Sequence, residues 1–189
     1  MCLYTSQRRL KTAKEDIKCY KVLQSVEALD HECPCIAGTA KAQKYQYLTP
    51  YQYFPMKPGE TYTDESRAYI GKHDENDIAD VGAKYFHTFT NIRAALDGIV
   101  DCCMSGAIIV ECIIPKGTKY LEGAMFYIPA THGEISAYAS KTIKLTDKII
   151  AQTELSNLTL KLSYGGKTYK DSGYLDDNHF YGYWVEVDK

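Results

Sequence analysis

The chain has 189 residues, 45% of them hydrophobic and 24% charged, with 22 Lys and Arg against 24 Asp and Glu. That composition excludes a disordered chain or a collagen-like repeat, and the length suits one compact domain with its own core. The net charge of -2 carries no basic excess, so neither a nucleic acid nor an anionic membrane is an expected partner.

Seven cysteines, Cys2, Cys19, Cys33, Cys35, Cys102, Cys103 and Cys112, make an odd number with one adjacent pair. That pattern fits reduced thiols in a cytoplasmic protein better than a disulfide framework. The first nine residues carry Arg8 and Arg9 with no apolar run behind them, which is not the pattern of a signal peptide. The most apolar stretch, residues 107–115, is too short to span a bilayer and contains Glu111. Tyrosine dominates the aromatics, 17 against 5 Phe and 1 Trp. A large ring with a polar tip suits half-buried sheet faces and recognition surfaces.

In chain order, residues 16–23 alternate as a first strand, with Tyr20 and Lys21 near its end. Residues 24–44 show no clean period and read as a loop or a short broken helix. Tyr45, Tyr47, Tyr51 and Tyr53 fall on alternate positions. If extended, they share one face, and Pro50 and Pro55 confine the segment to an edge strand or a long ordered loop. Pro58-Gly59 makes a turn, and residues 64–82 are polar enough to be an exposed excursion.

Residues 85–96 read as a short strand running into a helix. Thr88 or Thr90 is placed to cap it, Ile92, Ala95 and Leu96 form its buried stripe, and Gly98 lies near its end. Residues 106–115 are the strongest strand, apolar on both faces and hence central. Residues 118–122, 134–139 and 141–150 follow as strands, the last with Ile143, Leu145 and Ile149 inward. Residues 157–189 read as a C-terminal β-meander. Its elements are the alternating Leu158, Leu160 and Leu162, a Gly165-Gly166 hairpin turn and an aromatic last strand from Phe180 to Val187. The expected fold is a strand-dominated α+β single domain over residues 1–189, with a mixed or antiparallel split sheet and one or two packed helices.

Chemistry-bearing constellations are sparse. His31-x-Cys33-x-Cys35 offers three ligands where structural zinc needs four, so no metal is expected. Cys2 becomes a nucleophile beside an amine only if Met1 is removed. Glu111 lies within a strand that otherwise reads as buried, and His87 precedes a helix in a strand, a frequent place for a site residue. No phosphate-cradling glycine loop, nucleophile elbow or His-Glu-x-x-His is present, and no cofactor is expected.

Three stretches carry a resemblance. They are Phe86-His-Thr-Phe-Thr-Asn before a helix, Ile109-Val-Glu-Cys-Ile-Ile-Pro-Lys-Gly-Thr-Lys-Tyr-Leu-Glu-Gly, and Tyr138-Ala-Ser-Lys-Thr-Ile-Lys-Leu. Together they are similar to small uncharacterised proteins of bacteria and their phages. More faintly, over some 80 residues, their order resembles the second half of ADP-ribosyltransferases. That resemblance implies a split sheet with a cleft. Where the family carries its catalytic glutamate, this chain has Ser140 and Lys141. Its first strand offers Tyr20 and Lys21 in place of the dinucleotide-holding arginine or histidine. Without that carboxylate the transfer chemistry loses its main electrostatic support.

The expected function is therefore a small cytosolic binding module for an unidentified small molecule or protein. Its cleft would be lined by Tyr20, His87, Thr88, Tyr45, Tyr47, Tyr51 and Tyr53. One alternative is an NAD- or nucleotide-consuming transferase using Glu111, Glu134 or His87. The other is an interaction module working through the tyrosine-rich edge.

Overall fold

A computed structural model describes residues 3–32, 34–50, 52–66, 70–72, 79–81, 85–101, 106–127, 134–156, 159–171, 174–176, 179–181 and 184–187. In chain order the first elements are β1 (Leu3–Thr5), β2 (Lys11–Thr12), β3 (Ile17–Ser25), α1 (Val26–Glu32), α2 (Pro34–Ala42) and β4 (Tyr47–Leu48). Next come β5 (Thr61–Thr63), β6 (Ala79–Val81), β7 (Phe86–Phe89), α3 (Ile92–Asp101), β8 (Ala107–Ile114), β9 (Lys119–Tyr127) and β10 (Glu134–Ser140). The last are β11 (Thr142–Ser156), β12 (Thr159–Tyr164), β13 (Lys167–Asp171), β14 (Tyr174–Asp176), β15 (His179–Tyr181) and β16 (Trp184–Glu186). The fold is strand-dominated, and the described helices are short. The chain forms two compact units, each built from three separate stretches. Unit 1 comprises residues 1–21, 59–95 and 111–147, and unit 2 comprises residues 22–58, 96–110 and 148–189.

In unit 1, β7, β10, β9, β1 and β6 are hydrogen-bonded in that order, each pair antiparallel. Strand β2 flanks β9, β5 pairs with the start of β11, and Tyr20 of β3 stands opposite Phe89 of β7. Alternation decides the two faces. Ile135, Ala137 and Ala139 of β10 are buried on the same face as Phe89, Leu121 and Met125, while Tyr138 and Thr88 point to the other face. Gly123 sits where β1 crosses β9, and a Cβ there would lie 2.1 Å from the Tyr4 carbonyl oxygen. Only a residue without a side chain lets the two backbones approach so closely.

In unit 2, β4 pairs with the end of β3, and β11, β12, β13 and β16 follow one another as antiparallel neighbours. Val26 and Leu29 of α1, Ala37 and Ala40 of α2, and Leu48 form a buried cluster against which Ile36 and Tyr53 pack. Small residues on α2 allow α1 to lie close. Gly165 and Gly166, with φ of 60° and 76°, form the tight turn joining β12 to β13, as the Gly-Gly pair led one to expect.

Several expectations need correction. The first strand of the chain is β1, where Leu3 is fully buried and pairs with Val81 and Met125. Three residues are too few to display a period, so only their tertiary partners define them. Of the two readings of residues 24–44, the helical one holds: the stretch carries the two short helices α1 and α2. The polar 64–82 excursion ends in β6, whose Ala79 and Val81 are buried.

The tyrosine segment is extended only at β4. After it the chain turns: Thr49 N donates to the Phe54 carbonyl, Tyr53 N to the Thr49 carbonyl, and Phe54 N to Thr49 Oγ1. Tyr53 has φ of 50°. A threonine that bonds its own neighbourhood competes with strand pairing, so Tyr53 lies in a turn and does not continue the strand that begins at Tyr47. Tyr51 itself lies outside the described residues.

Helix α3 is capped by Asn91, whose Oδ1 accepts from Ala94 N at 2.9 Å, rather than by Thr88 or Thr90. Gly98 falls inside it. Ile143 and Leu145 are buried as expected, but Ile149 is 44% exposed. The aromatic run from Phe180 contributes to two short strands, β15 paired with β14 and β16 paired with β13. Leu158 lies outside the described residues; Leu162 is buried.

Candidate functional site

The polar face of unit 1 carries its densest chemistry. Glu122 of β9, Tyr138 of β10 and Thr88 of β7 stand directly opposite one another across three neighbouring strands. The Glu122 carboxylate accepts from Lys11 Nζ at 2.5 Å and from the Tyr120 hydroxyl at 3.4 Å. The Tyr120 and Tyr138 rings meet edge-on, centroids 5.8 Å apart. Burial, and then the Glu122 charge, pushes both phenols upward.

Beyond Thr88 the row continues into β3 and β8. Cys19 Sγ lies 3.3 Å from Cys112 Sγ and 3.5 Å from the Cys112 carbonyl oxygen, and both cysteines are excluded from solvent. Lys21, two residues from Cys19 and on the same strand face, donates from Nζ to the His87 carbonyl at 2.7 Å. Burial pushes its ammonium down to about 8, against the opposing pull of the two sulfurs. The Cys19 thiol is lowered, chiefly by its hydrogen bond with Cys112, with help from the Thr88 hydroxyl, the Ile114 amide and Lys21. Burial pushes Cys112 well up.

The sequence-derived residues separate around this row. Tyr20 and His87 are on the opposite sheet face from Thr88, because Tyr20 pairs with Phe89 and His87 alternates with Thr88. Thr88 is fully buried. Glu111 is bound by Lys18 Nζ at 2.6 Å, and the same ammonium stands 5.8 Å from the Tyr20 ring centroid. Glu134 opens β10 opposite Tyr127. Ser140 is buried and donates to the Thr142 carbonyl. Lys141 is 3.7 Å from Asp64 and sits over the Tyr85 ring at 4.8 Å. Ser140 and Lys141 are therefore engaged in holding the β10–β11 corner.

Unit 2 holds two clefts. The smaller, of about 480 Å³, is lined by Ile36, Thr39, Ala40, Leu48, Tyr53 and Pro55, with Cys35, Gln43 and Tyr45 at its edge. The larger, of about 680 Å³, presents Glu27, Lys41, Lys44, Gln152 and Glu154 beside Tyr45 and Tyr47. Tyr45 lines both and is 39% exposed. Of the His31, Cys33 and Cys35 set, Cys33 lies outside the described residues; Cys35 is exposed on α2. Among the described residues no group of three His, Cys, Asp or Glu side chains is arranged to hold a metal, and no helix is long and apolar enough to cross a membrane.

Sequence reasoning passed over the Cys19, Lys21 and Cys112 row. Its signal was there: Cys19 and Lys21 share a face of one strand, and Cys112 lies on an inward face of the most apolar strand. Nothing local indicated that the two strands are neighbours. Comparison of the chain with known protein families, with curated proteins and with solved structures returns no match.

Proposed function

We propose that the protein is a cytoplasmic small-molecule binding module whose recognition surface is centred on Tyr45. The observation that carries this reading is that Tyr45, exposed at the surface of unit 2, lines an apolar cleft on one side and a charged cleft on the other. The apolar cleft has the size and lining of a small-ligand pocket. Tyr53 and Tyr45 supply ring faces, and Gln43 supplies a polar group for orientation. Lys41 and Lys44 offer charge to a substituent that reaches the second cleft. The ligand that fits is an aromatic ring bearing a polar or anionic arm.

This reading keeps the resemblance to ADP-ribosyltransferases as an α+β arrangement without catalysis. It is supported by the structural engagement of Ser140 and Lys141 and by the Lys18 partner of Glu111. Tyr47, half-buried in the second cleft, remains part of the surface. A thermal-shift screen of aromatic carboxylates and phosphates tests the proposal. Hits whose stabilisation disappears in Tyr45→Ala support it. Association that depends on protein concentration, with no small-molecule hit, favours the interaction-module alternative. Turnover of labelled NAD favours the transferase.

A further inference from the structure

We propose that Cys19 and Cys112 form a dithiol site that hydrogen peroxide converts to a reversible intramolecular disulfide between β3 and β8. The two sulfurs are already 3.3 Å apart with no protein atom required between them. A disulfide needs about 2.05 Å, so closing the gap takes a rotation of the two side chains. Buried free cysteines usually stand singly among apolar neighbours and stay inert. This pair instead stands sulfur to sulfur, with the Lys21 ammonium on the same strand face as Cys19.

The chemistry divides between the two sulfurs. When Cys19 ionises, the S–H of Cys112 at 3.3 Å donates to it, and Lys21, two residues away on the same strand face, provides the compensating positive charge. Its sulfur attacks one peroxide oxygen. The O–O bond breaks, Cys19 becomes a sulfenic acid, and the departing hydroxide takes a proton to leave as water. Cys112 sulfur then attacks the sulfenic sulfur. The S–O bond breaks, the Cys112 proton leaves with that oxygen as a second water, and the S–S bond forms. Two thiols and one peroxide yield one disulfide and two waters, with sulfur oxidised and peroxide oxygen reduced. Both sulfurs are fully buried and their row-mates Lys21 and Tyr138 only half-buried, which calls for an oxidant as small as hydrogen peroxide. The disulfide would join residues 93 positions apart and tie a β3 segment to a β8 segment within unit 1.

The test treats the folded 189-residue chain with hydrogen peroxide and blocks remaining thiols with an alkylating agent. Peptides are then mapped by mass spectrometry. The expected product is a Cys19–Cys112 linked peptide, restored to free thiols by dithiothreitol, formed while the protein keeps its native circular dichroism. In Cys112→Ala, Cys19 should accumulate as a sulfenic acid that dimedone traps. Lys21→Gln should slow disulfide formation several-fold, since the thiolate fraction falls while the higher-pKa thiolate regains part of the loss in nucleophilicity. If Cys112→Ala fails to fold, the wild-type map and the Lys21→Gln rate decide. Two results overturn the proposal. One is oxidation of other cysteines while Cys19 and Cys112 stay reduced. The other is a Cys19–Cys112 link that appears only after denaturation.

Discussion

Lys21 Nζ donates to the carbonyl oxygen of His87 at 2.7 Å, joining β3 to β7 through a buried ammonium. Desolvation lowers this group from 10.5 to about 8. The unfolded chain therefore binds more protons than the folded one between about pH 8 and 10.5, and stability rises with pH across that window. Below pH 8 both states are charged and the cost is constant, on the order of 3 kcal/mol. Lys21→Met should match or exceed the wild type in stability at pH 7, and its advantage should shrink as pH rises from 8 to 10.5. Urea unfolding of both proteins under reducing conditions checks this; a difference independent of pH contradicts it.

Gly123 and Gly38 should respond oppositely to the same substitution. A Cβ on Gly123 meets the Tyr4 carbonyl oxygen and Leu3 Cδ2, at 2.1 and 2.8 Å, so Gly123→Ala must push β1 away from β9. The expected loss is about 3 kcal/mol. A Cβ on Gly38, within α2, meets nothing within 4 Å. Gly38→Ala should gain about 0.5–1 kcal/mol through helix propensity. Denaturant midpoints measured side by side separate the two effects.

Asn91 closes the start of α3 by accepting from Ala94 N through its side chain and from Ala95 N through its carbonyl. Asn91→Ala should cost about 1 kcal/mol, whereas Thr90→Ala should cost less, because Asn91 holds the cap. Equal losses at the two positions would return the cap to the threonine.

The parts of the fold legible in the sequence were those whose period is long enough to show. Residues 107–114 read as a central strand because seven of eight positions are apolar, and Gly165-Gly166 announced its hairpin. Leu3–Thr5 and Ala79–Val81 could not be seen, since each is a three-residue strand defined by its partners. The tyrosine alternation misled because Thr49 captures the backbone of the next turn, an effect that depends on local hydrogen bonds rather than on hydropathy. Ile149 misled in another way: the alternation of β11 persists, but Asp147 and Ile149 are exposed on a face that is buried at Leu145 and Ala151. Of the proposed recognition surface, Tyr45, Tyr47 and Tyr53 stood out in the sequence, but their placement on two clefts did not. The thiol row needed strand order, which no residue pattern in β3 or β8 specifies alone.

Amide chemical-shift mapping with an aromatic carboxylate hit tests the recognition surface most directly. Shifts should concentrate at Thr39, Gln43, Tyr45 and Tyr53, which line the apolar cleft. They should vanish in Tyr45→Ala, with the melting temperature nearly unchanged because that ring is exposed. Shifts confined to unit 1, or undiminished binding by Tyr45→Ala, would contradict it.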